Sequence, residues 1–168
     1  MARSFHSQMT RLFWNPSKIY LLNTLNYNMS KLSILSTDFE EGGEIPKDCG
    51  YKHGNVKPEL DFMGMENDPF PWAMIMDDPD AMAAVGKVWV HWLEYGNTDD
   101  SVTEGKNDFG EIGYGGPAPP DGRHTYVFKL YELDTDLDLK EGFSKQELED
   151  AMKGHIIAEA KLTGTYAP

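Results

Sequence analysis

The chain of 168 residues holds 28 aspartate and glutamate residues against 15 lysine and arginine residues, a formal net charge of −13. This balance disfavours nucleic acid and anionic membrane surfaces as partners, because both need a basic footprint on the protein. The length suits one domain, no apolar run is long enough to span a membrane, and the single Cys49 excludes an internal disulfide. We therefore expect a cytoplasmic protein, with no zinc spacing and no cofactor indicated.

The first 28 residues differ from the rest because they contain three basic residues and no acidic one. Their apolar run, Ile19–Leu25, is short for a secretory signal and is interrupted by Asn23. Met29, followed by Ser-Lys-Leu, is typical of a translation start. We predict that residues 1–28 form an extension outside the domain and that residues 29–168 form the domain. A weak presequence is the alternative.

Segments with β propensity recur along the chain and are bounded by turn-forming residues. They cover residues 32–36, 72–76, 88–95, 125–133 and 156–163. Residues 97–107 are predicted to be a polar connection. Side chains alternate across a strand. In the third segment this places Trp89, His91, Leu93 and Tyr95 on one face, with Val90, Trp92 and Glu94 on the other.

One helix is predicted near the C-terminus. Ser144 and Glu147 form a capping box, in which each side chain satisfies a free N–H at the start of a helix. Leu148 and Met152 then share a face at i, i+4, and Gly154 is a stop signal. Several strands and one helix favour a mostly antiparallel β sandwich with helical decoration.

Polar residues collect where strand-like runs begin or end. Asp77-Asp78-Pro79-Asp80 follows one run, His91 lies within the next, and His124 and Tyr126 open a third after the Gly/Pro-rich loop 113–122. Each has a structural alternative: a capped turn, a core histidine or a rigid surface loop. Together they could line a small polar pocket.

These three pieces, in this order and spacing, resemble the phosphatidylethanolamine-binding protein family. The similarity is to the Raf kinase inhibitor-like, short bacterial and archaeal type, and it runs from about Met29 to Tyr166. It implies a mostly β fold, an antiparallel β sandwich with one or two short helices. Three positions depart from the family pattern. Lys57 stands where serine is usual, Met82 where proline is usual, and Thr125 where arginine is usual, with Arg123 shifted to the other side of His124.

The resemblance also implies a set of ligand-binding residues. In it, Asp78 lies in the pocket close to His91, accepts a hydrogen bond from an imidazole N–H and favours the charged ring, and Asp80 holds the loop. Backbone N–H groups of Gly115, Gly116 and Ala118 face an anion. The full predicted set is Asp78, Asp80, His91, Gly115, Gly116, Ala118, Pro119, His124 and Tyr126.

The leading hypothesis is a binding protein for a small anion: phosphate, a phospholipid headgroup or a carboxylate. Regulation of protein partners such as kinases or proteases belongs to particular relatives, and stable membrane insertion is not expected. With both imidazoles protonated, binding should weaken as pH rises. One alternative is a hydrolase with an Asp78–His91 or Asp78–His124 general base. Another is a metal site on Asp78, Asp80, His91 and His124.

Overall fold

A computed structural model describes residues 31–65, 70–99 and 101–168. Residues 1–28, which the sequence predicts to be an extension outside the domain, lie outside these described residues. No helix in the described ranges is both long and apolar enough to cross a membrane.

The described chain folds into two antiparallel β-sheets. The small sheet pairs β1 with β2, and the large sheet has the strand order β5-β4-β3-β6-β7. The strands are β1 (Ser33–Ser36), β2 (Leu60–Met63), β3 (Trp72–Asp78), β4 (Trp89–Gly96), β5 (Val102–Glu104), β6 (His124–Leu133) and β7 (Ile156–Tyr166). This mostly β architecture confirms the predicted fold class. The short β5 falls in the segment predicted to be a polar connection, so that expectation is wrong there.

Two short α-helices accompany the sheets in the described part of the chain, and Lys47–Cys49 form a turn of 3₁₀-helix. α2 (Lys145–Met152) begins with the predicted capping box: Ser144 accepts from the Glu147 backbone N–H, and the Glu147 side chain accepts from the Ser144 backbone N–H. α1 (Ala81–Val85) follows the aspartate turn and ends at Gly86, whose φ of 75° suits glycine. The strand pattern did not predict α1, because five residues between two strands leave little helical periodicity.

The hydrophobic core has two layers, one on each face of the large sheet. Between the sheets lie Met74, Met76, Phe128, Leu130 and Leu162, packed against residues of the small sheet. On the opposite face, Ile75, Leu93 and Tyr95 pack with Leu148 and Met152 of α2. The central strand β3 is buried on both faces, which explains its continuous apolar run.

A β-bulge interrupts β4 at His91. Met76 pairs with Trp92 and Asp77 with Val90, so His91 is one extra residue on β4. An extra residue shifts the alternation that follows it. Leu93 and Tyr95 therefore pack on the α2 side with Val90, while Trp92 joins the inter-sheet core. The predicted sharing of one face by Trp89, His91, Leu93 and Tyr95 is thus wrong beyond His91.

Candidate ligand-binding site

A cavity of about 210 Å³ opens where β3 ends and β4 begins. Its walls are mostly apolar, and Asp78 and His91 are the two polar residues among those that line it. The lining residues are Asp78, Ala81, Ala84, Val85, Trp89, His91, Phe109, Ala118 and Pro120. A small apolar pocket with a few fixed polar groups is typical of small-molecule sites.

The bulge places His91 in the cavity wall, and its ring is held on three sides. Nδ1 lies 2.6 Å from the carbonyl oxygen of Gly115, so Nδ1 must carry the proton and donate. The rings of Phe109 and Tyr126 meet the imidazole edge-on, at centroid distances of 5.6 and 5.1 Å. Nε2 has no hydrogen-bond partner among the described residues. Burial lowers the pKa of His91, and the Gly115 carbonyl and the Asp78 charge oppose this only in part.

Asp78 binds the other histidine. Its Oδ2 accepts from Nδ1 of His124 at 2.7 Å, and its Oδ1 accepts from the Ala81 backbone N–H at 3.0 Å, which ties the carboxylate to the start of α1. Nε2 of His124 donates to Asp121 at 2.9 Å. Burial lowers the pKa of His124, but the hydrogen bonds to Asp78 and Asp121 outweigh it and raise that pKa overall.

These contacts give the two histidines different roles. Asp78 does not hold the ring of His91 by a hydrogen bond. It holds the ring of His124, whose two nitrogens both have carboxylate partners and so cannot both bind a ligand. Only His91 offers a free ring nitrogen to the cavity, and in its unliganded form that ring favours the neutral state. The expectation that both imidazoles are charged applies to the site with an anion bound, and it stays a prediction.

The glycine loop supports the cavity through internal hydrogen bonds. The N–H of Gly115 donates to the carbonyl of His91 at 2.8 Å, and the N–H of Gly116 donates to the side-chain oxygen of Asn55 at 2.7 Å. Neither N–H is left for an anion, contrary to the expectation. A Cβ on Gly116 would lie 2.0 Å from the carbonyl oxygen of Cys49. Close backbone packing thus explains the glycine at this position.

Of the remaining predicted residues, only Ala118 lines the cavity. Pro119 is buried and is not part of the lining, and neither is His124. Asp80 accepts from the backbone N–H of Thr125 at 2.8 Å and so joins the aspartate turn to the start of β6. Tyr126 is fully buried, and its hydroxyl has no hydrogen-bond partner among the described residues. Burial first, and then the Asp78 charge, raise the pKa of Tyr126.

The sequence model of the phosphatidylethanolamine-binding proteins matches residues 35–167. The chain belongs to this family. A UPF0098 protein of Methanothermobacter thermautotrophicus is 40% identical over 151 residues, covering 80% of this chain and 98% of its own. Another, from Chlamydia muridarum, is 37% identical over 148 residues, covering 80% and 98%. The family description names binding, and these relatives carry no enzymatic name.

Solved structures agree with this assignment. A phosphatidylethanolamine-binding protein homologue of Chlamydia trachomatis superposes with a TM-score of 0.75 at 34% identity, covering 82% of this chain and 97% of its own. Escherichia coli YbcL, described as a member of the same family, gives 0.70 at 25%, covering 81% and 98%. A carboxypeptidase Y inhibitor, solved with its cognate proteinase, gives 0.53 at 14%, covering 89% and 93%, which shows the fold alone.

The three departures from the family pattern, Lys57, Met82 and Thr125, do not line the small cavity. The ammonium group of Lys57 pairs with Glu94 at 2.9 Å, beside a different cavity. Thr125 is half-buried at the start of β6, where its backbone N–H donates to Asp80. The shifted Arg123 lies on the surface, 3.3 Å from Glu44. The side chain of Met82 is exposed on α1.

Several residues of the candidate site were not predicted from the sequence. Trp89 and Phe109 form aromatic walls, and Ala84 of α1 closes one side. Asp121 accepts a hydrogen bond from His124, and Asn55 accepts one from the Gly116 N–H. The contact of Asp121 with His124 had a local signal, because the two residues are three apart in the sequence with a glycine between them. No local signal linked Asn55 to a loop 61 residues away.

The two chemical alternatives are a hydrolase with a general base and a metal site, and the described residues lack the contacts that each would need. An Asp78–His124 general base would need a free imidazole nitrogen, and Asp121 binds the one that faces away from Asp78. No hydrogen bond joins Asp78 to His91. Among the described residues, no group of three or more histidine, cysteine, aspartate or glutamate side chains is placed to hold a metal ion. Asp80, one of the four expected metal ligands, binds the Thr125 backbone instead.

Proposed function

We propose that this chain is a binding protein whose small cavity takes an anionic group at His91. The ligand classes are phosphate monoesters, phospholipid headgroups and carboxylates. The rest of such a ligand would pack against the apolar walls formed by Trp89, Phe109 and α1. Family membership supports a binding role, and the proposal adds the chemistry of the pocket.

The observation that carries the proposal is the state of the His91 ring. The Gly115 carbonyl fixes the proton on Nδ1, and Nε2 has no partner among the described residues. His91 is only 2% exposed, yet it lines a cavity. A protonated Nε2 would donate a charge-assisted hydrogen bond to an anionic oxygen, an interaction of roughly 1.5–3 kcal/mol.

Local charges decide whether an anion is tolerated beside Asp78. The Asp78 carboxylate already accepts hydrogen bonds from the His124 imidazole and from the Ala81 backbone N–H, so its negative charge is largely compensated. The anion itself would supply the charge that favours protonation of His91. Binding and uptake of one proton are therefore coupled in this proposal.

The proposed binding role is tested by calorimetric titration with phosphoethanolamine and with inorganic phosphate. His91→Phe keeps a ring in the aromatic wall but removes both nitrogens, so we expect it to lose binding with the fold intact. The matched control is His155→Gln, which removes an exposed histidine that lies outside the cavity lining and is paired with Asp134 at 2.8 Å. Equal affinity in wild type and His91→Phe would refute an anion site at His91.

A regulatory role through a protein partner is the second part of the proposal. The fold is shared with an inhibitor that was solved with its proteinase, but the likeness at 14% identity adds no residue-level support. The buried, unpaired thiol of Cys49 fits a reducing compartment, and we propose a cytoplasmic location. Inhibition assays on purified kinases and proteases, and cell fractionation, test these two points. No inhibition, or recovery outside the cytoplasmic fraction, would contradict them.

A further inference from the structure

A larger cavity, of about 720 Å³, lies between the small sheet and the β4–β5 edge of the large sheet. It shares no lining residue with the small cavity. One wall is aromatic: Phe62 and Trp72 meet edge-to-face with ring centroids 4.9 Å apart, and Trp92 continues the surface. We refer to this space as the aromatic-acidic cavity, because four glutamates complete its lining.

One cation is already held in this cavity. The ammonium group of Lys57 lies 2.9 Å from Glu94 and 3.9 Å from Glu104, and 4.7 Å from the centroid of the Trp92 ring. An aromatic face with carboxylates beside it is a recognised environment for organic cations. The Lys57 side chain is 51% exposed and reaches in from solvent, whereas the Glu94 side chain is 9% exposed.

The charge of the cavity exceeds what Lys57 can balance. Four carboxylates face one ammonium group, and the carboxylates of Glu59 and Glu141 have no ion-pair partner among the described residues. An added cation would therefore meet carboxylates that Lys57 does not reach.

We propose that the aromatic-acidic cavity binds a small organic cation, an ammonium or guanidinium group on an apolar chain, and that Lys57 is its internal competitor. The cationic end would take the position beside Glu94 and over Trp92 that Lys57 now occupies. The apolar chain would pack on Phe62 and Trp72. This site is independent of the one proposed at His91, so either can fail alone.

The test uses n-butylammonium, which reproduces the Lys57 side chain beyond its Cα. Lys57→Ala removes the competitor from a half-exposed position without disturbing the core. We expect this variant to bind n-butylammonium roughly three- to tenfold more tightly than wild type, given the modest strength of exposed ion pairs and cation–π contacts. The indole N–H signals of Trp72 and Trp92 should shift in NMR titrations, and that of Trp89, in the small cavity, should not.

Three controls distinguish cation binding in the aromatic-acidic cavity from binding elsewhere on the protein and from binding of a neutral chain. Lys87→Ala removes another lysine over a tryptophan, 5.0 Å from the Trp89 ring and paired with Asp108 at 2.7 Å, outside the cavity. It should leave the affinity unchanged. Glu94→Gln, added to Lys57→Ala, should abolish the gain, and neutral n-butanol should bind more weakly than the amine. A gain with Lys87→Ala, no gain with Lys57→Ala, or equal binding of n-butanol would each overturn the proposal.

Discussion

Asp77 and Asp78 are adjacent on β3, and their carboxylates bind partners on opposite faces of the large sheet. Asp77 accepts from Lys129 at 2.6 Å and from Lys145 at 2.8 Å, which fastens the first turn of α2 to the sheet. Asp78 accepts from His124 at 2.7 Å beside the small cavity. Since successive strand residues point to opposite faces, the scaffold and the site can be perturbed separately.

Asp77→Asn should destabilise the fold. Asp77 is 1% exposed, and the amide would leave two lysines without their carboxylate. We expect the free energy of unfolding, measured by urea denaturation, to fall by roughly 1–3 kcal/mol. The control is Glu149→Gln, which removes the exposed partner of Lys145 at 3.8 Å and should change little. Equal stability of wild type and Asp77→Asn would contradict this view of the α2 anchor.

Anion binding should depend on pH through one proton at His91. Burial lowers the pKa of His91 below its ordinary value of 6.5, and a bound anion would raise it. Affinity should be constant below the lowered pKa of the free protein. It should then fall about tenfold per pH unit until the pKa of the complex is passed. Phosphate titrations from pH 5 to pH 8.5 measure the slope. A flat profile, or a slope near two protons, would exclude this single-proton mechanism.

His124 should stabilise the fold in its charged form. Its pKa is lowered by burial but raised overall by Asp78 and Asp121, so the folded-state pKa lies above the ordinary value of 6.5. The resulting stability is fully present below pH 6.5 and is lost as pH rises through the raised pKa. Asp121→Asn should lower the pKa of His124 in an NMR titration and shrink the loss of stability between pH 6 and pH 9.

The matched control for His124 is Asp134→Asn at the exposed His155 pair, in which the side chains are 45% and 55% exposed. Because solvent screens exposed pairs, this variant should change the stability profile little. An unchanged His124 pKa in Asp121→Asn would show that the Asp121 contact does not act on the ring.

Gly116→Ala should be costly, whereas Gly122→Ala should be tolerated. A Cβ at Gly116 would meet the Cys49 carbonyl oxygen at 2.0 Å, and backbone atoms cannot move aside as a side chain can. A Cβ at Gly122 would meet nothing within 4 Å. We expect the first substitution to lower the unfolding free energy by roughly 1–3 kcal/mol, as overpacking does. Thermal or urea denaturation compares the two loop glycines directly, and similar midpoints would refute the packing argument.

The fold was largely accessible from sequence because its signals are local. The capping box at Ser144 and Glu147 and the apolar run in β3 depend on neighbouring residues and reappear in the structure as expected. The alternation in β4 failed at one point, because a β-bulge depends on pairing with β3 and leaves no mark in β4 alone. The three residues of β5 were too few to show a period.

The site was accessible only in part, because its roles depend on contacts distant in sequence. The motifs predicted that Asp78, His91 and His124 lie near one another, but not which ring the carboxylate holds. Whether a loop N–H is free depends on Asn55 and on the His91 carbonyl, which approach from other segments. Such pairings require the folded chain.

The buried thiol of Cys49 makes the chain convenient for site-specific labelling. Burial first, and then nearby aspartates, raise the pKa of Cys49 to about 11, so little reactive thiolate forms at neutral pH. A new cysteine placed on the surface should therefore react with a maleimide dye without removal of the native one. Fluorophores placed at exposed Val102 and Val85 would report separately on the larger and the smaller cavity, which these two residues line.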